Sequence, residues 1–309
     1  MQIGRNDNKG RILVTGATGR QGGTGRGVAK WLIERGYRVR TLVRKRDERA
    51  EYLGRLGAEV VVGDYADYAS LLVALEDVES AYFCYPVAAG IAEAAGLFAA
   101  AGRKQGLKRV VDISLAATGP EHPSPQARAQ WVAEQIFEWA GFAGVHLRIA
   151  AFFMENVLVI DLLGIREKAR IANPFGTLGL PWIAGEDVGA IAANLLVDSS
   201  LTSERVVVVG GGELMTYPEV AQIITNVVGK RVSYEELTPE AWRAELIAGS
   251  ARQGEPNVRG ADHLVAQSIA LKRGPGLTVT DHVRQFAGRA PISFTHFIET
   301  HRAQLTPVI

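Results

Sequence analysis

The chain opens with an apolar run followed by evenly spaced glycines. Residues 12–14 read Ile-Leu-Val, and glycines follow at positions 16, 19 and 22. Beyond them, apolar residues recur at helical spacing from Val28 to Ile33, and Gly36 ends that pattern. A short apolar run predicts a buried strand, and the helical spacing predicts an amphipathic helix. This stretch therefore predicts a strand, a glycine turn and a helix.

The alternation of strand and helix patterns continues to about residue 150. Short apolar runs predict further strands at 38–43, 59–62, 80–85, 109–113 and 145–150. Between them, helical patterns occupy 47–56, 88–104 and about 126–140. Strands that alternate with helices form parallel sheets covered by helices. We therefore predict the α/β class with a doubly wound parallel sheet of the Rossmann type.

The second half of the chain has a different pattern. Thr216 and Thr238, each followed by Pro and Glu, predict helix starts, and residues 293–304 predict a final amphipathic helix. Aromatic residues near 175 and 182 are expected in exposed loops. We predict a sheet domain over 10–155, to which 183–212 return, and a smaller, mainly helical C-terminal lobe built from 156–182 and 213–309.

The glycine turn is the strongest chemical signal in the chain. A strand, glycine turn and helix present N–H groups at the helix N-terminus to a pyrophosphate, and glycines let the backbone approach it. The first gap is one residue wider than in the dinucleotide fingerprint Gly-x-Gly-x-x-Gly. Gly25 and Gly27 either contact phosphate or accommodate a longer loop. The predicted phosphate contacts are Gly16, Thr18, Gly19, Arg20, Gln21 and Gly22.

Basic residues follow the second predicted strand. NAD-binding proteins carry an acid there, about 20 residues past the glycines, for the adenosine ribose. This chain has Arg44 and Lys45, which favour a 2′-phosphate and hence NADP over NAD. The alternative is a solvated basic turn. After the third strand, Asp64 and Tyr65 are candidates for adenine contacts, and the alternative for Asp64 is a turn residue.

Strand ends predict the side of the site where the nicotinamide would lie. Ligands of doubly wound sheets bind at the carboxyl ends of the strands. Tyr85 and Pro86 follow the fourth strand, and Ser114 and Leu115 follow the fifth. We expect these residues to line the nicotinamide side.

Composition excludes several classes of protein. The net charge is +1, from 34 basic and 33 acidic residues, so overall charge favours neither nucleic acid nor a membrane surface as a partner. The single cysteine, Cys84, excludes an intrachain disulfide and is predicted to be buried. The six histidines show no metal-ligand spacing. With no signal pattern and no long apolar run, we predict a cytoplasmic protein and no metal.

Several segments together resemble the NmrA-like family of atypical short-chain dehydrogenases/reductases. The resemblance rests on residues 15–22, 40–44, 63–64, 151–156, 181–187 and 294–302. It implies a Rossmann-type domain, NADP(H) as cofactor and a C-terminal substrate lobe. The family contains NADPH-dependent reductases of quinones and dyes, and also regulators that sense NADP(H) without known turnover.

The proton-transfer dyad of ordinary short-chain dehydrogenases is missing. That dyad is Tyr-x-x-x-Lys on the helix after the fifth strand, where Lys lowers the pKa of the Tyr phenol. Here no Tyr lies between Tyr85 and Tyr217, and no Lys between Lys108 and Lys168. Spacing places Gln126 and Gln130 there, and amides can position a ligand but cannot act as acids.

We therefore predict a reductase that delivers hydride to a conjugated apolar compound, such as a quinone, dye, enone or similar ketone. Ser114 and Gln130 would position the reacting groups, although Ser114 could equally cap a strand end. The predicted substrate contacts are His122, Gln126, Phe152, Phe153, Asn156, Phe175 and Trp182. Core packing is the alternative for the aromatic residues. An NADP(H)-sensing regulator is the second hypothesis, and the sequence leaves the oligomeric state open.

Overall fold

Helices and strands cover most of the chain in a computed structural model, which describes residues 10–19, 22–116, 118–252, 254–274 and 277–308. Within these residues the strands are β1 (Arg11–Thr15), β2 (Arg38–Val43), β3 (Glu59–Val62), β4 (Val78–Phe83), β5 (Arg109–Leu115), β6 (Ala143–Ile149), β7 (Phe152–Phe153), β8 (Arg170–Asn173), β9 (Leu180–Ile183), β10 (Val206–Val209), β11 (Glu213–Met215) and β12 (Ser233–Glu236). The helices are α1 (Thr24–Glu34), α2 (Glu48–Leu56), α3 (Tyr68–Leu75), α4 (Ile91–Gln105), α5 (Pro125–Trp139), α6 (Asn156–Val159), α7 (Leu162–Lys168), α8 (Gly185–Val197), α9 (Tyr217–Val228), α10 (Pro239–Arg252), α11 (Val258–Arg273), α12 (His282–Ala287), α13 (Phe294–Thr300) and α14 (Arg302–Leu305).

A parallel sheet forms the centre of the first part of the chain. Among the described residues it has seven strands in the order β10-β6-β5-β4-β1-β2-β3. The chain runs outward from β1 through β2 to β3, then crosses back to place β4 on the other side of β1. This reversal creates a crevice at the carboxyl ends of β1 and β4, where doubly wound sheets bind ligands. The predicted fold class is confirmed, and β10 extends the six predicted strands beside β6.

Helices cover both faces of this sheet because side chains alternate along each strand. Val14 faces a core that includes α1, α2, α8 and α12. Leu13, its neighbour, faces a second core formed with α3, α4 and α5. The buried, mostly apolar strands and the alternating chain order are the features expected of a parallel sheet.

A third core lies in the C-terminal part of the chain. It joins the small sheet β11-β9-β7 to β8, β12 and the helices α9, α13 and α14. Trp182 and Phe175 are 0% and 1% exposed there. The expectation that they are exposed is therefore wrong. Trp182 belongs to strand β9 rather than to a loop, whereas Phe175 does lie in the turn between β8 and β9 but stacks its ring on Tyr217 at 5.5 Å. The predicted last helix is divided into α13 and α14.

Helices α1 and α8 pack together through two glycines. A Cβ atom added to Gly189 would lie 2.7 Å from the carbonyl carbon of Gly27 and 2.8 Å from its Cα atom. One added to Gly27 would lie 3.3 Å from the Cα atoms of Glu186 and Gly189. The side chains of Trp31 and Asn194 add a hydrogen bond of 3.0 Å. Gly27 therefore serves helix packing, and residues 24–27 form the first turn of α1 rather than a loop.

A buried ionic network links β5, β6 and α5. His146 lies between Asp112, at 2.6 Å from Nδ1, and Glu138, at 2.9 Å from Nε2. Burial favours the neutral imidazole, but the two carboxylates outweigh it and raise the pKa of His146. Arg148 makes a bidentate pair with Glu134 nearby. Each charged side chain in this network therefore has a partner, as burial of charge requires, although Oδ2 of Asp112 makes no hydrogen bond among the described residues and burial raises the pKa of Asp112.

Replacing His146 should lower stability in a pH-dependent way. In His146→Leu, the carboxylate of Asp112 stays buried without its partner, which costs about 3–5 kcal/mol. Because the native-state pKa of His146 is raised, its contribution is complete below the unfolded-state value of about 6.5 and is lost as pH rises through the native value. Urea unfolding should therefore show a larger difference from wild type near about pH 6 than near about pH 9.

The exposed His296 provides the matched control. Its replacement by Leu should change the free energy of unfolding by less than about 0.5 kcal/mol at either pH. A His146→Leu defect of equal size at both pH values would contradict a charged His146.

Candidate cofactor and substrate site

The glycine turn follows β1 at the crevice of the sheet. Gly16, Gly22 and Gly23 have φ values of 69°, 68° and 58°, a left-handed conformation that favours glycine. The N–H of Gly19 donates a 3.0 Å hydrogen bond to the carbonyl of Gly16 and closes the turn. A Cβ atom on Gly16 would lie 2.9 Å from Cβ and Sγ of Cys84. The predicted contacts Gly16, Thr18, Gly19 and Gly22 thus share this turn, whereas Arg20 and Gln21 lie outside the described residues.

Helix α1 begins directly after this turn and has an open N-terminus. Its N-cap is Gly23, which has no side chain to accept from the first N–H groups, and its described first turn contains no acidic residue. By contrast, α2, α3 and α5 are capped by Asp47, Asp67 and Ser124. The uncapped N–H groups and the helix dipole form a site for an anion.

Gly25 brings α1 against the turn. A Cβ atom at this position would lie 2.7 Å from the carbonyl oxygen of Thr15 and 2.8 Å from the amide nitrogen of Ala17. Only glycine permits this approach of two backbones. Close packing between α1 and the turn therefore explains why residue 25 is glycine.

Side-chain hydrogen bonds join β1 to β4 below the crevice. The hydroxyl of Thr15 donates to the carbonyl of Tyr82 at 3.0 Å and accepts from the N–H of Cys84 at 2.9 Å. Tyr65 donates from its hydroxyl to the carbonyl of Cys84 at 2.7 Å, and its ring lies 5.2 Å from that of Tyr85. Burial raises the pKa of Cys84 to about 11, so the thiol stays protonated. Tyr65 and Tyr85 therefore stand together beside the end of β4.

Basic side chains follow the end of β2, and one of them contacts the glycine turn. Arg44 and Lys45 are exposed just past the end of β2, as the proposed phosphate contacts must be. Arg49, which the sequence analysis missed, donates to the carbonyl of Thr18 at 2.7 Å and to the carboxylate of Asp47 at 2.6 Å. Its position in the first turn of α2 after an Asp cap is the signal that could have drawn attention to it. The carboxylate of Asp64 accepts from the N–H of Ala66 at 2.9 Å, which matches its turn alternative.

Several predicted site residues carry buried polar atoms without partners. Among the described residues, the hydroxyl of Ser114, Nε2 of His122 and Oδ1 of Asn156 make no hydrogen bond. Ser114 is 2% exposed and lies near the carboxyl end of β5, where the predicted ligand would be. Because buried polar groups are normally satisfied, such atoms indicate a place for a ligand or water.

The two glutamines of α5 have protein partners. Gln130 donates from Nε2 to the carbonyl of Ile113 at 2.7 Å, and so holds β5 just before Ser114. Gln126 accepts on Oε1 from Arg259 of α11 at 3.0 Å. Gln130 therefore holds the backbone of β5 in place, and Gln126 connects the sheet domain to the C-terminal helices.

The predicted aromatic contacts do not form one wall. The Phe153 ring covers the glycine turn, because a Cβ atom on Gly22 would lie 3.2 Å from it. Phe152 instead packs in the third core, 5.0 Å from Phe175 and 5.9 Å from Trp182, measured between ring centres. The expectation of one flat pocket is therefore wrong for Phe175 and Trp182, whose rings are buried against other aromatic rings. Phe153 is the member of the set that contacts the glycine turn.

A cavity of about 430 Å³ lies between α7, β8, α10 and α11. Val87, one residue beyond Pro86, lines one side, and Trp242, His263 and Asp161 line others. Burial raises the pKa of Asp161 to about 8 and lowers that of His263 to about 4, so both side chains are neutral near pH 7. Sequence reasoning missed Asp161, although it is the one charged residue in the apolar run 157–163.

Among the described residues, no helix is both long enough and apolar enough to cross a lipid bilayer.

Comparison of the sequence with known proteins identifies its family and several relatives. The sequence profile of the NmrA-like family matches residues 8–254 and confirms the resemblance. An uncharacterised oxidoreductase from Bacillus subtilis is 30% identical over 96% of this chain and 96% of its own length. An NAD(P)H azoreductase from Xenophilus azovorans is 25% identical over 94% of this chain and 98% of its own.

A solved structure shares the fold. The NADPH complex of an NADPH-dependent quinone oxidoreductase from Escherichia coli superimposes with a TM-score of 0.78 and 22% identity. The match covers 94% of this chain and 99% of the other. At 22% identity, this match establishes that the two proteins share a fold.

Gly25→Ala should disturb the turn without removing any side chain. The added methyl group would meet backbone atoms at 2.7–2.8 Å, so α1 must move away from the turn. We expect a loss of about 1–3 kcal/mol in the free energy of unfolding and at least about tenfold weaker binding of NADPH. Urea unfolding and a fluorescence titration with NADPH measure the two effects.

Gly96 of α4 supplies the control, because a Cβ atom there has nothing within 4 Å. Gly96→Ala should stabilise the protein by about 0.5–1 kcal/mol through helix propensity and leave NADPH binding unchanged. Equal behaviour of the two variants would show that close packing at Gly25 is not required.

Proposed function

The chain belongs to the NmrA-like family, and we propose that it is an NADPH-dependent reductase of conjugated apolar compounds such as quinones, dyes, enones or similar ketones. One observation carries the proposal: the uncapped N-terminus of α1 and the unpartnered hydroxyl of Ser114 lie at the carboxyl ends of strands of the same parallel sheet. In addition, the helix that should hold the usual Tyr and Lys has two engaged glutamines instead.

The residues at the crevice fit NADPH. Gly16, Thr18, Gly19 and Gly22 would hold the pyrophosphate at the N-terminus of α1, where the backbone leaves no room for side chains. Arg44 and Lys45 would bind the 2′-phosphate, and Tyr85, Pro86 and Ser114 would face the nicotinamide. NADPH, when bound, supplies the hydride.

The polar side chains of α5 limit the kinds of substrate that the proposed site could reduce. Gln130 uses its amide N–H on Ile113, and Gln126 accepts from Arg259, so each side chain positions backbone or a neighbouring helix. An amide does not exchange a proton near neutral pH. A substrate whose conjugation stabilises the reduced product does not require the tyrosine relay, because water can complete the protonation. This supports a quinone, dye or enone over a simple alcohol.

The names of similar proteins agree with this substrate class. One relative is an azoreductase, and one solved structure is that of a quinone oxidoreductase. Azo compounds and quinones are both conjugated acceptors of hydride. The chain is accordingly an NAD(P)H-dependent oxidoreductase that acts on small molecules.

A regulator that senses NADP(H) is the second candidate. The engagement of Gln126 and Gln130 by protein partners is equally compatible with it, because a protein without turnover needs no acid there. It requires the same cofactor contacts, so NADPH binding alone does not distinguish the two candidates.

Reversing the charge at Arg44 should change cofactor preference. Arg44→Glu places a carboxylate beside the expected 2′-phosphate, so the Kd for NADPH should rise at least about tenfold while that for NADH changes about twofold or less. Arg55→Glu, an exposed change at the far end of α2, is the control and should alter neither Kd. Equal losses for both cofactors would remove Arg44 from the phosphate site.

Turnover decides between reductase and sensor. NADPH oxidation should be followed at the nicotinamide absorbance band with naphthoquinones, azo dyes, triarylmethane dyes and enones, while NADPH binding is titrated in parallel. A reductase oxidises NADPH with at least one compound class. Tight NADPH binding without turnover in any class would favour the sensor.

A further inference from the structure

Apolar side chains from two parts of the chain line the cavity beside α7. Val159, Ile160 and Leu163 belong to the first part, Trp242, Leu246 and Leu264 belong to the second, and charged side chains complete the lining. Val87 also lines the cavity, and it lies directly after Pro86 in the chain segment that follows β4. The volume of about 430 Å³ lies within the usual range for small-molecule sites.

Asp161 is the unexplained polar group in this cavity. It is 6% exposed, and among the described residues its carboxyl oxygens make no hydrogen bond or ion pair. It occupies the N-cap position of α7 but does not cap the helix with its side chain. A buried carboxyl group without a partner lowers stability, so its presence calls for a ligand that it can bind.

Burial keeps Asp161 neutral. Tyr217 of α9 and Tyr234 of β12 are ionisable groups close enough to respond to a charge on Asp161, and burial raises the pKa of both, to about 12 for Tyr234. His263 of α11 is neutral because burial lowers its pKa to about 4. With burial raising its own pKa to about 8, Asp161 holds a proton that it can donate.

Charged residues stand at the rim of the cavity and are mostly paired. Arg170 pairs with Glu235 and Glu245, and Arg252 pairs with Glu167. Lys168 and Glu255, of opposite sign, complete the charged part of the lining. A rim of compensated charge around a neutral, apolar interior selects a neutral ligand over an ionic one.

We propose that this cavity binds the carbonyl end of a flat, neutral, conjugated substrate, and that the unpartnered carboxyl group of Asp161 donates a hydrogen bond to its carbonyl oxygen. The proposal rests on the reductase function proposed above and specifies its substrate as a quinone-like hydrogen-bond acceptor. A hydrogen bond to that oxygen withdraws electron density from the conjugated system, which favours acceptance of hydride.

The test is a binding measurement without cofactor. Menadione, a methylated naphthoquinone, is compared with methylnaphthalene, which lacks the carbonyl oxygens. Quenching of Trp242 fluorescence reports binding, and Trp242→Phe identifies its share of the signal. In wild type at about pH 6, menadione should bind more tightly than methylnaphthalene, and Asp161→Leu should weaken menadione binding about fivefold, the effect of one hydrogen bond. Methylnaphthalene binding should not weaken in that variant.

Raising the pH should reproduce the effect in wild type. Between about pH 6 and about pH 9.5 Asp161 ionises and can no longer donate, so menadione binding should weaken. Asp161→Asn, whose amide donates at every pH, should lose this dependence. Its Tm should also exceed that of wild type increasingly from about pH 5 to about pH 8, because the unfolded carboxyl group releases its proton near about pH 3.9 whereas the native one retains it.

The outcomes separate the two proposals. NADPH oxidation with quinones combined with unchanged menadione binding in Asp161→Leu would overturn the role of Asp161 and leave the reductase function standing. Asp161-dependent menadione binding, together with no NADPH oxidation by any of the compound classes, would support the binding site in the cavity and overturn the reductase function. A pH-independent Tm difference between wild type and Asp161→Asn would overturn the neutral carboxyl group.

Discussion

Close approach of backbones at glycine residues is the constraint on which the site depends. Gly25 lets α1 contact the turn after β1, and Gly27 and Gly189 let α8 contact α1. At the start of α8, a Cβ atom on Gly185 would lie 1.3 Å from the carbonyl oxygen of Gly22. Because α8 follows β9 of the third core, this series of contacts connects the C-terminal part of the chain to the turn. Backbone packing thus joins the glycine turn to the element that follows β9.

Glu155 reinforces that connection. Its carboxylate accepts from the N–H of Gly185 at 2.9 and 3.1 Å, and so caps α8 beside Gly22. Burial raises its pKa to about 7. Two residues before it, the Phe153 ring lies against the glycine turn, and in the next residue, Asn156, the buried Oδ1 atom makes no hydrogen bond among the described residues. The segment 152–156 therefore contributes to the glycine turn and to the start of α8 from neighbouring positions of the chain.

Local patterns in the sequence predicted most of the sheet, because its strands are continuous apolar runs that any α/β topology must bury. They failed where burial depends on distant partners. Trp182 is adjacent to prolines and glycines in a loop-like sequence, yet antiparallel pairing with β11 and contact with Phe294 bury it. Gly25 and Gly27 could not be assigned from spacing, since their roles depend on Thr15 and Gly189. Asp161 was overlooked because one carboxylate in an apolar helix pattern does not change the period, and its lack of a partner is visible only in three dimensions.

Two chemical routes produce a hydrogen-bond donor suited to neutral pH. In the Tyr-Lys dyad, a phenol with a high pKa is brought down by a neighbouring positive charge. In a buried apolar site, a carboxylic acid with a low pKa is brought up by loss of hydration. The first route needs a Lys that α5 of this chain lacks, whereas the second needs only an enclosed acid such as Asp161. The second route also leaves the donor without a permanent partner, so that the carbonyl group of a substrate becomes its best available acceptor. A buried acid of this kind could therefore supply the donor that the missing dyad would otherwise provide, as the proposal for Asp161 requires.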